Sequence, residues 1–258
     1  MPLPIAPELP AFILGACIGS FLNVCIYRIP LARSIVSPGS MCPRCESPIR
    51  FYDNIPILSY LWLKGRCRQC QARVSPRYPL VELLTALLFT AVAHRFGVSI
   101  EAAIYMAFSA ALVTITFIDI DHRIIPDRIS LPGIGLCFLA ALTLPHMGWQ
   151  ASLLGIVVGG GSLFVVAWTY SMLTGKEGMG GGDVKLLAMI GALLGWQGVI
   201  FTIFSASLLG TVVGLGVMVH ARSNLKLAVP FGPFLATGAL AYIFMGRELV
   251  TWYFGLMR

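Results

Sequence analysis

Residues 175–196 read GKEGMGGGDVKLLAMIGALLGW. Five glycines and Asp183 lead into thirteen residues, 184–196, that carry a single charge. An acid at the mouth of an apolar run is expensive if that run enters a bilayer, and such acids are kept for a reason. The fold therefore depends on what surrounds this stretch.

The chain has 258 residues, of which 57% are hydrophobic and 11% charged, against about 25% charged in soluble domains. Crossing a hydrocarbon core of about 30 Å takes about 20 apolar helical residues. Apolar runs at 10–29, 78–94, 100–118, 129–145, 151–173, 184–196, 198–219 and 229–246 predict an all-α polytopic membrane protein with about eight transmembrane helices. The run at 184–196 is short enough to be re-entrant instead, which would invert the last two spans. The first run has no basic n-region or small-residue cleavage site and contains Asn23, so it reads as a retained anchor.

The net charge of +7 is unevenly placed, with nine of the eighteen Lys and Arg in residues 28–77. With eight spans the same side also receives Arg123, Arg128, Lys176, Lys185, Arg222 and Lys226, leaving Arg95, Arg247 and Arg258 opposite. This bias predicts a cytoplasmic loop, with both termini outside. Attraction to anionic lipid is a secondary effect, and nothing calls for nucleic acid. The predicted organisation is a first transmembrane helix in 1–29, a mostly irregular cytoplasmic Cys-rich loop in 30–77, and a transmembrane domain in 78–258.

In the loop, Cys42-x2-Cys45 and Cys67-x2-Cys70 are separated by 21 residues. This spacing predicts a zinc-ribbon-like site in which four thiolates surround one structural zinc, with Arg44, Arg66 and Arg68 offsetting its negative charge. Disulfides or redox pairs are the alternative, but a cytosolic loop disfavours them. Cys17, Cys25 and Cys137 read as small core hydrophobes.

Among the acids, Asp119 closes the run AALVTITFI and Asp183 ends the glycine stretch. Either can be bland, Asp119 as a span terminator and Asp183 as a helix cap. Asp121 reads as a solvated loop acid and Asp127 as the N-cap of the fourth span. Asp119 and Asp183 share one membrane face, however, and can converge. Two carboxylates in a partly dry site share a proton. One then acts as general base on a water while the other polarises a scissile carbonyl, the chemistry of an aspartic peptidase. Gly180 and Gly182 would admit an extended substrate close to the backbone. Lys185 lies about 200° round a helix from Asp183 and reads as a lipid-phosphate anchor or a charge acting on that acid from a distance.

Taken in order, GSFLNVCIYRIP, YDNIPILSYLWLKGRCRQC, SPRYPLVELLTALLF, FIDIDHRIIPD, TGKEGMGGGDVKLLAMIGALLGWQ and VPFGPFLATGA resemble the bacterial type IV prepilin leader peptidases, membrane aspartic proteases with a G-x-G-D motif. The resemblance implies catalysis by Asp119 and Asp183, with Asp121 in support and Gly180-Gly181-Gly182-Asp183 as the motif. It implies cleavage of a basic leader from prepilins or pseudopilins after a glycine, on the cytoplasmic face of the bacterial inner membrane, in pilus or type II secretion systems. The Cys-rich loop further implies S-adenosylmethionine-dependent N-methylation of the new N-terminus, with 78–258 as the peptidase domain.

No adenosylmethionine fingerprint is visible. GGGS at 159–162 reads as close helix packing. The polar residues of the loop and the in-span Asn23, Arg28 and Glu82 are candidates for the methyl-donor site, although Arg28 and Glu82 serve equally as an interfacial ion pair or lipid anchors. Glu177 is a candidate for binding the basic leader. Two other functions remain open: a zinc-loop membrane scaffold of a secretion or pilus machine, and an ion-coupled transporter using the intramembrane acids.

Overall fold

A computed structural model describes residues 7–175, 180–221, 230–246 and 248–249. Apart from two isolated β-bridges, the regular structure of the described residues is helical. The chain forms two compact units, residues 1–114 and 115–258.

In the first unit, α1 (Glu8–Arg28) packs on α3 (Arg77–Phe96). Gly15 and Gly19, one turn apart, face α3. A Cβ on Gly15 would lie 2.7 Å from Ala86 Cα, and one on Gly19 2.7 Å from Glu82 Cα. In lipid, close approach of this kind through small residues holds helices together, because no hydrophobic force between them is available. The start of α4 (Ile100–His122) adds Met106 and Ala110 to a cluster of Ala11, Phe89 and Ala93.

Residues 29–76 join α1 to α3 and contain a 3₁₀ turn (Phe51–Asn54) and the short α2 (Leu58–Trp62). Polar groups of the helices fasten this loop. Arg28 donates to the carbonyls of Ser34 (3.0 Å) and Gly39 (3.3 Å), and Glu82 Oε2 accepts the Ile57 N–H at 2.7 Å. Asn23 Nδ2 donates to the Tyr78 carbonyl at 3.1 Å. Arg28 and Glu82 thus hold the loop in place rather than pairing with each other.

The second unit holds the last turns of α4, then α5 (Asp127–Ala141), α6 (Trp149–Thr174), α7 (Gly181–Ala221) and α8 (Gly232–Ala241), which continues as a π-turn, Tyr242–Gly246. The first half of α7 lies against α6. A Cβ on Gly155 would run into the Gly191 carbonyl, one on Gly159 would sit 2.5 Å from the Leu187 carbonyl, and Ser152 Oγ donates to the Ala192 carbonyl at 2.5 Å. Of the GGGS stretch, Gly159 and Gly160 make the expected close approach, whereas no atom comes within 4 Å of a Cβ on Gly161.

At Gly195 (φ 69, ψ 179) α7 breaks, in a backbone region open essentially to glycine alone. The chain folds back there. Val199 Cγ2 lies 2.9 Å from the Cβ position of Gly191, whereas a straight helix would separate residues eight apart by about 12 Å. α8 then packs antiparallel on the returning half, with Tyr242 at Gly198, Thr202 at Gly238 and Phe234 at Gly210. The runs at 184–196 and 198–219 are therefore an outgoing and a returning segment, and the last helix keeps the orientation of the eight-segment pattern.

Among the described residues, five helices are long and apolar enough to cross a membrane: Glu8–Arg28, Arg77–Phe96, Ile100–His122, Trp149–Thr174 and Gly181–Val219, the last counted whole although broken at Gly195. The run at 129–145 is shorter than expected. α5 carries Pro132 and stops after 15 residues, about 22 Å of helix. The chain is a multi-pass helical membrane protein.

Candidate active site and metal centre

The structure brings Asp119 and Asp183 to one end of the second unit. Asp119, in the last turns of α4, is 5% exposed, and its Oδ2 accepts the backbone N–H of Gly232, the first residue of α8, at 3.0 Å. Asp183 is half-buried in the first turn of α7, where the positive end of the helix dipole favours a carboxylate. Its N–H donates to the Gly180 carbonyl at 3.2 Å. Asp183 follows Gly182, and the Cβ positions of Gly182 and of Gly232, the partner of Asp119, both meet Ile125.

Ile125, just past α4, organises this meeting. A Cβ on Gly182 would lie 2.8 Å from Ile125 Cβ, and one on Gly232 3.4 Å from Ile125 Cδ1 and 2.6 Å from Asp119 Oδ2. Two glycines without side-chain bulk thus let the starts of α7 and α8 close on the end of α4. Gly232 and Ile125 were not singled out by sequence as site residues. The available signal was Pro233, which marks a helix start and hence a free N–H immediately before it.

Asp121 is exposed on the final turn of α4, about 200° round the helix from Asp119. Two expectations are corrected. Asp127 makes no cap bond, since the cap position belongs to Pro126; instead Asp127 pairs with Lys185 at 2.7 Å. Lys185, expected to anchor to lipid phosphate or act on Asp183, joins the start of α7 to the start of α5 through this pair. Lys176, Glu177, Arg222 and Lys226 lie outside the described residues.

The four loop cysteines meet in the first unit, with their sulfurs all within 4.8 Å of one another, and this cluster can hold a metal ion. It is built from two copies of one hairpin. In the first, Met41 bridges Pro48, Cys42 N–H donates to Ser47 O (3.0 Å) and Glu46 N–H to Cys42 O (2.9 Å). In the second, Arg66 bridges Arg73, Cys67 N–H donates to Ala72 O (2.8 Å) and Gln71 N–H to Cys67 O (3.0 Å). Glu46 and Gln71 even share positive φ values of 55° and 57°. Ser47 Oγ bonds Gln69 Oε1 across the pair at 2.7 Å. Hydrogen bonding from Ser47 pulls the Cys45 thiol down to about 6, toward the thiolate a metal needs. Arg68, expected to offset thiolate charge, is instead bound through two nitrogens to Asp53, holding that carboxyl below its ordinary range.

A membrane-embedded acid pair and a four-cysteine loop define a class, and sequence comparison gives it a family. The model of the bacterial peptidase A24 N-terminal domain matches residues 13–96, and that of the type IV leader peptidase family matches residues 106–215. Three similar proteins are named prepilin leader peptidase/N-methyltransferase. The one from Aeromonas salmonicida is 39% identical over 94% of this chain and 92% of its own. That from Pseudomonas aeruginosa is 38% identical over 97% and 94%, and that from Neisseria gonorrhoeae 40% over 90% and 88%. No solved structure matches. The chain belongs to the type IV leader peptidase family, and it is an enzyme.

Proposed function

We propose that this protein cleaves the leader of type IV prepilins or pseudopilins and then methylates the new N-terminus, with Asp119 and Asp183 as the catalytic pair. The observation that carries the peptidase half is their convergence at one end of the second unit, with the Gly232 amide fixing one Asp119 oxygen. Asp119, oriented by that N–H, and Asp183, at a helix start, flank a place for a water and a peptide carbonyl. One carboxylate takes the proton from water as it attacks and then passes it to the departing amine; the other, protonated, donates to the carbonyl oxygen and recovers its proton as the tetrahedral adduct collapses. The basic cluster in residues 28–77 supports a cytoplasmic active site in the inner membrane.

The loop metal is zinc in this account. Four Zn–S bonds of about 2.3 Å in a tetrahedron set sulfurs about 3.8 Å apart, and Cys42 and Cys70 stand at 3.8 Å. Such an ion would hold together a loop subdomain too small for a core of its own. S-adenosylmethionine, when bound, supplies an electrophilic methyl group. Asn23, Arg28 and Glu82 already have backbone partners. A cleft of about 350 Å³ between α1 and the loop, lined by Arg28, Ser20, Ser40 and Asn54 beside apolar Phe21 and Val24, is the candidate place for it.

The test is cleavage of a purified prepilin in detergent by the intact chain, Asp119→Asn and Asp183→Asn, with labelled S-adenosylmethionine present. Loss of cleavage in both variants, with methylation of a pre-cut substrate intact, supports the assignment. Normal cleavage by either variant rejects it.

A further inference from the structure

We propose that Arg28 holds the carboxylate of S-adenosylmethionine in the cleft between α1 and the loop, so that Arg28 selects the donor by its amino-acid end. The proposal rests on the methyltransferase reading above and on that cleft as its place. The first observation is the lining. Phe21, Val24 and Arg28 enter the cleft from α1 at i, i+3 and i+7, one stripe of the helix, with Ser20, Ser40 and Asn54 beside them. Arg28 is the single charged residue among those that line it.

The second observation is that Arg28 is fixed without being neutralised. Its two terminal nitrogens donate to the carbonyls of Ser34 and Gly39, and Gly39 itself lines the cleft. Those bonds use two of the five guanidinium N–H groups. Among the described residues no acid pairs with Arg28. Glu82, the acid expected as its partner, accepts the Ile57 N–H instead. Arg28 therefore keeps its charge, and its remaining N–H groups are held in one orientation, the arrangement that recognises a planar anion.

The charges of the donor decide which end meets it. S-adenosylmethionine has two positive centres, the sulfonium and the ammonium, and one negative centre, the carboxylate. Repulsion between like charges keeps the first two away from Arg28 and leaves the carboxylate. Phe21 and Val24 offer the rest of the molecule apolar surface. The product, S-adenosylhomocysteine, keeps the carboxylate and is held by the same contact.

The experiment reads binding rather than turnover. The full chain in detergent, without prepilin, is titrated calorimetrically with S-adenosylmethionine and with its decarboxylated form, which lacks only the carboxylate. The intact chain should bind the decarboxylated form about ten- to a hundredfold more weakly, the worth of hydrogen bonds between charged groups. In Arg28→Gln that gap should close, because S-adenosylmethionine loses a contact that the decarboxylated form never made. Arg28→Lys keeps the charge without the fork and should keep part of the gap. Bound metal, measured by elemental analysis, reports whether the loop of each variant is folded. A residue that only fastens the loop would weaken both ligands together, so a gap that survives in Arg28→Gln overturns the proposal. An intact chain that binds both forms alike overturns it too. Where Arg28→Gln has lost its metal, Arg28→Lys decides, and an undiminished gap there counts against the carboxylate contact. Binding of neither form by the intact chain rejects the methyltransferase reading itself, and the proposal with it.

Discussion

The four-cysteine cluster and the acid pair are assembled in opposite ways. The cluster comes from one stretch, residues 41–73, folded as two repeats of the same hairpin. The acid pair draws on residues 119, 125, 183 and 232, from three helices and a loop. The cluster is local chemistry with local geometry. The pair exists only if the starts of α7 and α8 meet the end of α4. A local site should tolerate distant changes and fail when one ligand is lost; an assembled site should fail through backbone contacts that carry no chemistry of their own.

The largest effect is expected at the acids. Asp119→Asn or Asp183→Asn should lower cleavage by about ten-thousand-fold or more, as for groups that act as a unit, while methylation of a pre-cut substrate continues. Next comes Gly232→Ala, whose Cβ would lie 2.6 Å from Asp119 Oδ2. Displacing a reacting group by about 1 Å costs about a hundredfold, so cleavage should fall by about that much with methylation retained. Equal loss of both activities would mean the fold had failed instead. Cys67→Ser should sharpen the contrast from the other side. Bound metal, measured by elemental analysis, and methylation should both be lost, with cleavage largely kept.

The contrast also explains what the sequence made visible. The cysteine spacing was legible because the repeat lies in neighbouring residues, although the duplication itself was hidden: MCPRCESP and RCRQCQAR share little beyond their cysteines. The apolar runs were legible for the same reason, each being one helix. The halt of α5 at Ala141 was not, since periodicity places element ends poorly even where Pro132 warns of it. Asp119 and Asp183 stood out by the expense of an acid at a membrane segment. Gly232 did not, because its contribution is a backbone N–H. Lys185 and Asp127 were read as local features for lack of any sign that α5 and α7 begin side by side.

Two smaller effects probe the scaffold. Gly155→Val would push a side chain into the Gly191 carbonyl. Overpacking of this kind costs about 1–3 kcal/mol, visible as a lower Tm in detergent, with cleavage reduced because the start of α7 moves. Lys185→Ala removes a pair whose side chains are 35% and 57% exposed. Such pairs are worth about 0.2–1 kcal/mol, so cleavage should change by less than about fivefold.

The central claim is that Asp119 and Asp183 form one site rather than two acids with separate duties. The direct measurement is single-turnover cleavage of one prepilin substrate by Asp119→Asn, Asp183→Asn and the double variant, with methylation of a pre-cut substrate as the folding control. The double variant should cleave no more slowly than either single variant, because losing one partner already disables the pair. Losses that multiply in the double variant, or cleavage that survives either single change, would contradict it.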